Sequence, residues 1–255
     1  MSGVDVAGGD ILRTEGISRS FGGFMALKNV SASFPRGRLT AIIGPNGAGK
    51  STFFNVISGA LVPSAGRIMF DGSDITGTPQ HRFAHLGIAK SFQITNVFPE
   101  LTALENVRIA IQALHKRFDI WTPRATLTAM AEEAAELLVL VGLENKQASP
   151  AANLAHGEQR ALEVALALAC NPRLLLLDEP TAGMSPEETL VMMELITSLA
   201  EARTVVLVEH KMKLVMGISS HLIVLHHGEL LAEGTPDDIR ANDEVRRVYL
   251  GQGSR

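Results

Sequence analysis

A glycine-rich segment at residues 44–52 constrains the fold of this chain more than any other stretch. It consists of the residues Gly44, Pro45, Asn46, Gly47, Ala48, Gly49, Lys50, Ser51 and Thr52. This order fits the pattern Gly-x-x-x-x-Gly-Lys-Ser/Thr. An apolar run at residues 38–43 predicts a short buried strand before it, and apolar residues with helical spacing follow it. A strand, a glycine loop and a helix form a cradle for phosphate, because backbone N–H groups and the positive helix end face the anion.

The phosphate loop, residues 44–52, is therefore predicted to bind a nucleoside triphosphate. Lys50 is placed to reach the β- and γ-phosphates, and the Ser51 hydroxyl is placed to bind Mg²⁺. The alternative is a glycine-rich turn that precedes an ordinary helix. The predicted strand and helix on either side of the loop disfavour that alternative.

Strands and helices alternate along most of the chain. Further strands are predicted at residues 11–17, 25–34, 66–71, 88–92, 174–177, 204–208, 221–226 and 229–233. Further helices are predicted at residues 79–86, 102–114, 124–141, 186–202, from about residue 212, and at residues 236–250. This alternation is typical of an α/β fold with a mainly parallel sheet, and the first two strands are predicted to pair antiparallel in a β subdomain.

Residues 94–169 are helical where their flanks are rich in strands. They are therefore predicted to form an α-helical lobe inserted into a nucleotide-binding α/β core, which comprises residues 11–93 and 170–255. Residues 1–10 are polar and rich in glycine, and we expect them to form a flexible tail.

Polar residues follow several of the predicted strands. Gln93, Asp178 and His210 each come after a strand, as the phosphate loop does. Ligands of parallel α/β sheets bind beyond the carboxyl ends of the strands, so we expect these groups to converge. Asp178 is placed to hold Mg²⁺, and Glu179 points elsewhere and could take a proton from a water that attacks the γ-phosphate. The alternative for this acidic pair is a surface turn.

Other candidates are weaker when each is taken alone. His210 could bond the γ-phosphate or the attacking water, although a lone histidine is more often structural. Gln93 could bridge Mg²⁺ or water. Phe21 is either a core or turn aromatic or a platform on which a flat base stacks. Residues 154–160, hereafter the signature segment, precede a helix and could give a second phosphate contact, which hints at a dimer.

Composition excludes several classes of protein. The net charge of −4 argues against a general nucleic-acid binder. One cysteine excludes an internal disulfide framework and suits a reducing compartment. We expect no signal peptide, and no apolar run reaches the ~18 residues that span a bilayer. Any role at a membrane is therefore expected to depend on a partner.

Together these motifs resemble the nucleotide-binding subunit of an ATP-binding-cassette (ABC) transporter, from about residue 11 to residue 250. In that family residues 91–93 match the glutamine loop, residues 174–180 the second acidic motif and His210 the switch histidine. The resemblance implies a RecA-like P-loop NTPase core, Mg-dependent ATP hydrolysis, and stacking of adenine on Phe21. Residues 87–93, 97–107, 208–219, 232–236 and 249–251 are similar to the ATPase of branched-chain amino-acid importers.

The resemblance also implies how such subunits work. Two subunits, identical or related, sandwich two ATP molecules, each between one phosphate loop and the other subunit's signature segment. The contacts across the dimer would come from Ala155, His156, Gly157 and Glu158. Closure of the dimer would pull on integral membrane permease subunits at the cytoplasmic face of the inner membrane. A solute-binding protein would be an indirect partner, and no nucleic acid is expected to bind.

The sequence departs from the family pattern at five positions, of which two, His156 and Glu158 in place of a Gly and a Gln, resemble ordinary variation for this subfamily. Ala155 replaces a serine whose hydroxyl should contact the γ-phosphate, so we expect weakened closure. Ser185 and Lys211 each stand where an aspartate is usual. The alternatives are a degenerate regulatory cassette in a heterodimer, a transporter subunit of the urea/amide or lipopolysaccharide type, and a cassette linked to nucleic acid. Intact Lys50, Glu179 and His210 disfavour the degenerate cassette, and the net charge disfavours the cassette linked to nucleic acid.

Overall fold

The structure is a computed structural model that describes residues 9–91, 97–114 and 124–249. Gln93 and most of the predicted tail lie outside the described residues. The ten strands of the described part are β1 (Asp10–Phe21), β2 (Phe24–Pro35), β3 (Leu39–Ile43), β4 (Ala65–Phe70), β5 (Ser73–Asp74), β6 (Ile88–Lys90), β7 (Leu174–Asp178), β8 (Thr204–Val208), β9 (His221–His226) and β10 (Glu229–Gly234). Asp10, predicted to belong to the tail, is the first residue of β1.

Nine α-helices lie in the same described ranges. They are α1 (Lys50–Ile57), α2 (Phe83–Leu86), α3 (Ala103–Leu114), α4 (Arg124–Leu140), α5 (His156–Leu168), α6 (Pro186–Ala202), α7 (Met212–Ile218), α8 (Pro236–Ala241) and α9 (Asp243–Tyr249). No helix in these ranges has both the length and the hydropathy needed to cross a bilayer.

A six-stranded sheet has the order β10-β9-β3-β8-β7-β6. All neighbouring pairs are parallel except β10 with β9. Every residue of β3, β7 and β8 is buried, as the runs of apolar residues without alternation predicted. The α/β class and the mainly parallel sheet are therefore confirmed.

A second sheet has four antiparallel strands in the order β2-β1-β4-β5. One hydrophobic cluster contains residues of this sheet, of α1 and of the main sheet. Within it, Phe34 of β2 stacks on Phe53 of α1, with 6.3 Å between the ring centroids. This sheet is the predicted antiparallel β subdomain.

The inserted segment packs α3, α4 and α5 around their own apolar residues, among them Val107, Ile111 and Leu138. The predicted capping box opens α3: Glu105 N donates to Thr102 Oγ1 at 3.1 Å, and Thr102 N donates to Glu105 Oε2 at 3.0 Å. This lobe and the main sheet share one core cluster, so the lobe is fixed against the sheet.

The carboxyl-terminal segment is two helices instead of one. The break falls at Asn242, whose side-chain oxygen accepts hydrogen bonds from the backbone N–H groups of Glu244 and Val245 at 2.9 and 3.1 Å. Asn competes for backbone groups in this way at helix starts, so α9 begins anew there.

Candidate nucleotide-binding site

The phosphate loop lies between β3 and α1, and two of its glycines, Gly44 and Gly49, are packed too closely to carry side chains. A Cβ on Gly44 would lie 2.4 Å from the carbonyl oxygen of Leu225. Gly49 has φ +97°, and a Cβ there would lie 2.9 Å from the carbonyl oxygen of Ala26. Gly228, in the turn between β9 and β10, donates its N–H to the carbonyl of Ala48 at 3.1 Å. The loop is therefore fixed by β2 and by the β9–β10 hairpin.

Lys50 is buried at the start of α1, with 5% of its surface exposed. Its Nζ donates to the carbonyl oxygens of Gly44 at 2.8 Å and Pro45 at 3.0 Å. Burial lowers the pKa of the Lys50 ammonium, and the negative charge of Glu179 opposes that effect. The ammonium is thus poised inside the loop for an anion that would compensate its charge better than the two carbonyl groups do. Ser51, next to it, is exposed to solvent.

Asp178 is the last residue of β7, and it is buried. Burial raises the pKa of its carboxyl, and the nearby charge of Lys90 counteracts this most strongly. A divalent cation at this carboxylate would relieve the cost of burying its charge. The described residues hold no cluster of three or more His, Cys, Asp or Glu side chains fit for a metal. A single carboxylate such as that of Asp178 suits Mg²⁺, which usually keeps several waters and binds through one or two protein groups together with substrate phosphates.

Glu179 and His210 are in direct contact. His210 Nε2 lies 2.5 Å from Glu179 Oε1, so the ring donates a hydrogen bond to the carboxylate. Glu179 has φ +48°, a backbone conformation that is uncommon outside glycine and that clusters at functional sites. Its N–H donates to the carbonyl of Val208 at 2.9 Å, which ties the turn after β7 to the end of β8.

Glu209 is a site residue that sequence reasoning missed. It is buried, and its Oε1 accepts hydrogen bonds from the N–H and the Oγ1 of Thr181 at 3.1 and 2.5 Å. Its Oε2 accepts from the N–H of His210 at 3.1 Å. One carboxylate therefore joins the segment after Glu179 to the segment that carries His210. A charged residue directly after a buried strand was the available signal.

Phe21 ends β1 and pairs with Phe24 across the β1–β2 turn. It is 42% exposed, which leaves ring surface for a flat ligand. The hairpin reaches the phosphate loop, since Ala26 of β2 packs against Gly49.

The signature segment lies at the N-terminus of α5, where Ala155 is the N-cap residue. The N–H of Ala155 donates to Glu158 Oε2 at 2.8 Å, and this bond chiefly lowers the pKa of Glu158. The methyl group of Ala155 cannot complete the capping box. The N–H of Gly157 donates to Glu188 Oε1 at 3.3 Å, and the His156 ring lies against Gly183. Glu158 and Gly157 thus already have partners within the chain.

Two of the departures from the family pattern, Ser185 and Lys211, have local partners. Ser185 caps α6, because its Oγ accepts a hydrogen bond from the N–H of Glu188 at 3.2 Å. Lys211 Nζ donates to Thr189 Oγ1 of α6 at 3.2 Å. The carboxyl ends of β3, β7 and β8 bring together the phosphate loop, Asp178, Glu179 and His210. The signature segment does not join this group within the chain; it contacts the segment that follows Glu179.

A model of the family described as ABC transporter matches residues 27–182, which is more than half of the chain. The chain belongs to the ABC transporter family. A second model, for the branched-chain amino acid ATP-binding cassette transporter, matches residues 229–254 of this cassette. The cassette is 41% identical to the high-affinity branched-chain amino acid transport ATP-binding protein BraF of Pseudomonas aeruginosa over 252 residues. That alignment covers 95% of this chain and 98% of BraF.

Solved ATP-binding cassettes have the same architecture. The ADP conformation of a cassette from an ABC transporter superposes with a TM-score of 0.83 and 32% identity, and the match covers 95% of this chain and 99% of that one. A dimeric cassette in a post-hydrolysis state, bound to ADP and Pi, superposes with a TM-score of 0.74 and 28% identity. That match covers 88% of this chain and 98% of the other. The P-loop NTPase fold and membership of the ABC ATPases are therefore confirmed.

Proposed function

We propose that this cassette hydrolyses Mg·ATP at the site built from the phosphate loop, Asp178, Glu179 and His210, and that this drives uptake of branched-chain amino acids. The contact between Glu179 Oε1 and His210 Nε2, 2.5 Å apart, carries the proposal. It places a carboxylate base and a hydrogen-bond donor together, within electrostatic reach of buried Lys50. A site of this composition activates water and stabilises charge on a transferred phosphoryl group.

Each residue has a defined part in the proposed reaction. The loop N–H groups and Lys50 bind the β- and γ-phosphates, where negative charge develops. Glu179 takes the proton of the attacking water, and His210 orients that carboxylate or the γ-phosphate. Phe21 stacks on adenine. When bound, Mg²⁺ neutralises phosphate charge, and Ser51, Asp178 and Gln93 are the residues that would hold it.

A second cassette completes the site in this proposal. The amide groups of the signature segment, Gly157 among them, face the γ-phosphate of the ATP bound to the partner. The dimeric cassette among the structural relatives supports such an assembly. The second subunit is either another copy of this chain or a related one.

An apolar groove supports docking of integral membrane permease subunits at the inner face of the membrane. It lies between α2 and β6 on one side and α3 and α5 on the other, with a volume of about 310 Å³. Phe83, Phe98, Ile109 and Leu166 line it. An amphipathic helix that fits an apolar groove is a common recognition mode. The groove joins the core to the lobe, so domain movement would reach a helix seated there.

Branched-chain amino acids are the proposed solute because BraF is named for that transport and because the carboxyl-terminal family model matches residues 229–254. The same match disfavours transporters of the urea/amide and lipopolysaccharide types. The solute itself is selected by the permeases and a solute-binding protein.

Reconstitution tests this function. The cassette is co-expressed with branched-chain amino acid permease subunits, the complex is placed in liposomes, and uptake of labelled leucine is measured in the presence of a solute-binding protein. We expect ATP-dependent uptake of leucine, isoleucine and valine, abolished by Lys50→Ala. ATP-dependent uptake of urea without leucine uptake would overturn the solute assignment and leave the ATPase assignment intact.

A further inference from the structure

We propose that Arg19 is a positioning residue that holds the ring of Phe21 as the platform for the nucleotide base. The inference rests on the proposed stacking of adenine on Phe21. Arg19 and Phe21 are two residues apart on β1, so their side chains lie on the same side of the strand. The guanidinium carbon of Arg19 is 4.7 Å from the centroid of the Phe21 ring. A cation at this distance over an aromatic face is attracted to the ring quadrupole.

The position of the Arg19 guanidinium is itself fixed from the other side. Its Nη1 donates to the carbonyl oxygen of Val62 at 2.7 Å. The segment that carries Val62 is bound to β1, because Ser64 N donates to the carbonyl of Ser18 at 2.8 Å and Ser20 N donates to Ser64 Oγ at 3.2 Å. The guanidinium therefore has a rigid anchor and can restrain the ring.

The surroundings of Arg19 point to the ring as its main partner. Its Nε is buried without a hydrogen-bond partner among the described residues. No carboxylate in the described part of the chain forms an ion pair with it, whereas Arg13 on the same strand pairs with Glu15. A guanidinium that is partly removed from water and not neutralised by an acid interacts more strongly with an aromatic face.

The arrangement leaves one face of the platform for the base. The Arg19 guanidinium lies over one face of the Phe21 ring, and the Phe21 residue as a whole is still 42% exposed. Phe21 also adjoins Gly22 and Gly23, which carry no side chains that could pack against the ring. Without Arg19 the ring would have to be ordered by the ligand, and that ordering weakens binding.

The test compares ligands with and without a base. ATP and inorganic tripolyphosphate are titrated by calorimetry into the full-length cassette, into Arg19→Ala and into Phe21→Ala. We expect Arg19→Ala to weaken ATP binding on the order of 3- to 30-fold, and no more than Phe21→Ala does. Tripolyphosphate should bind all three proteins equally, because it makes no contact with the ring. Arg13→Ala is the matched control and should bind both ligands as the parent does.

A double variant distinguishes positioning of the ring from a general structural effect. If Arg19 acts through the ring, Arg19→Ala combined with Phe21→Ala binds ATP no more weakly than Phe21→Ala alone. Equal losses of ATP and tripolyphosphate binding in Arg19→Ala would overturn the inference. Parent-like ATP binding by Arg19→Ala, when Phe21→Ala binds ATP more weakly than the parent, would overturn it as well. Parent-like ATP binding in Phe21→Ala would overturn the proposed stacking role of Phe21 as well.

Discussion

Glu188 accepts a hydrogen bond from the backbone N–H of Gly157, with Oε1 3.3 Å from that nitrogen. Its other oxygen, Oε2, accepts from the N–H of Ser185 at 2.9 Å. A Cβ at position 157 would lie 2.7 Å from Glu188 Oε1, so a larger residue there would displace the Glu188 side chain from this contact. The amide that we propose for the partner's γ-phosphate therefore already holds an anion from its own chain. That anion sits on α6, directly after the segment that follows Glu179.

Removing the charge of Glu188 should favour closure of the dimer. Glu188→Gln keeps only one accepting oxygen, which serves the N–H of Ser185 or that of Gly157, and its other side-chain end is an NH₂ group that cannot accept. The N–H of Gly157 is therefore held by a weaker neutral bond or released, and it yields more readily to phosphate. We expect ATP-driven dimers to form about fivefold more tightly in a Glu179→Gln background, measured by analytical ultracentrifugation. Glu187→Gln, at an exposed neighbouring position, is the control. A dimer no tighter than that of the control would show that Glu188 does not compete for the amide.

Restoring the serine hydroxyl at position 155 should act on both the helix and the dimer. Ala155→Ser places a hydroxyl at the N-cap of α5, where it can accept a bond from the N–H of Glu158. We expect a gain of about 1 kcal/mol in unfolding free energy, or roughly 2 °C in Tm by calorimetry. Tighter ATP-driven dimerisation should accompany it. A higher Tm with unchanged dimerisation would mean that the hydroxyl does not reach the partner's nucleotide.

Glu209 should matter for both stability and turnover. Glu209→Gln replaces one of two accepting oxygens with an NH₂ group that faces backbone donors of Thr181 or His210. We expect a loss of about 1–3 kcal/mol in urea denaturation and a lower kcat, because the segments that carry Glu179 and His210 are no longer joined. Glu201→Gln, on the exposed face of α6, is the control for charge. An unaltered kcat in a destabilised variant would limit Glu209 to a structural role.

Most of the fold could be predicted because the sequence patterns that specify its strands and helices involve residues close together in the chain. The apolar runs of β7 and β8 and the capping box at Thr102 each depend on adjacent residues. The phosphate loop, Asp178 and His210 could be placed for the same reason, since each follows a strand. The contacts of Glu209, Glu188 and Arg19 could not, because each joins segments whose approach depends on tertiary packing. Arg19, for example, bonds a carbonyl 43 residues away.

The charge on Asp178 should cost stability in the nucleotide-free protein. Burial raises the pKa of its carboxyl in the folded state above the unfolded value of about 3.9. The folded state therefore holds the proton more tightly, and this contribution to stability is lost as pH rises through the folded pKa. We expect Asp178→Asn to raise the Tm of the free protein at pH 7 while it abolishes stabilisation by Mg·ATP.

The pH dependence of metal-dependent binding checks the same group. Mg²⁺ needs the ionised carboxylate, so Mg-dependent ATP affinity should fall on acidification, starting at a higher pH than an aspartate with an ordinary pKa would give. A Tm of Asp178→Asn below that of the parent at pH 7, with Mg-dependent stabilisation retained, would contradict this role.

The account as a whole depends on Glu179 acting as the base. Steady-state Mg-dependent ATP hydrolysis by Glu179→Gln, measured beside ATP affinity, tests it most directly. We predict that turnover falls about 10²- to 10⁴-fold, as loss of a general base does, while ATP still binds and closed dimers accumulate. Hydrolysis by Glu179→Gln at the parent rate would contradict the account.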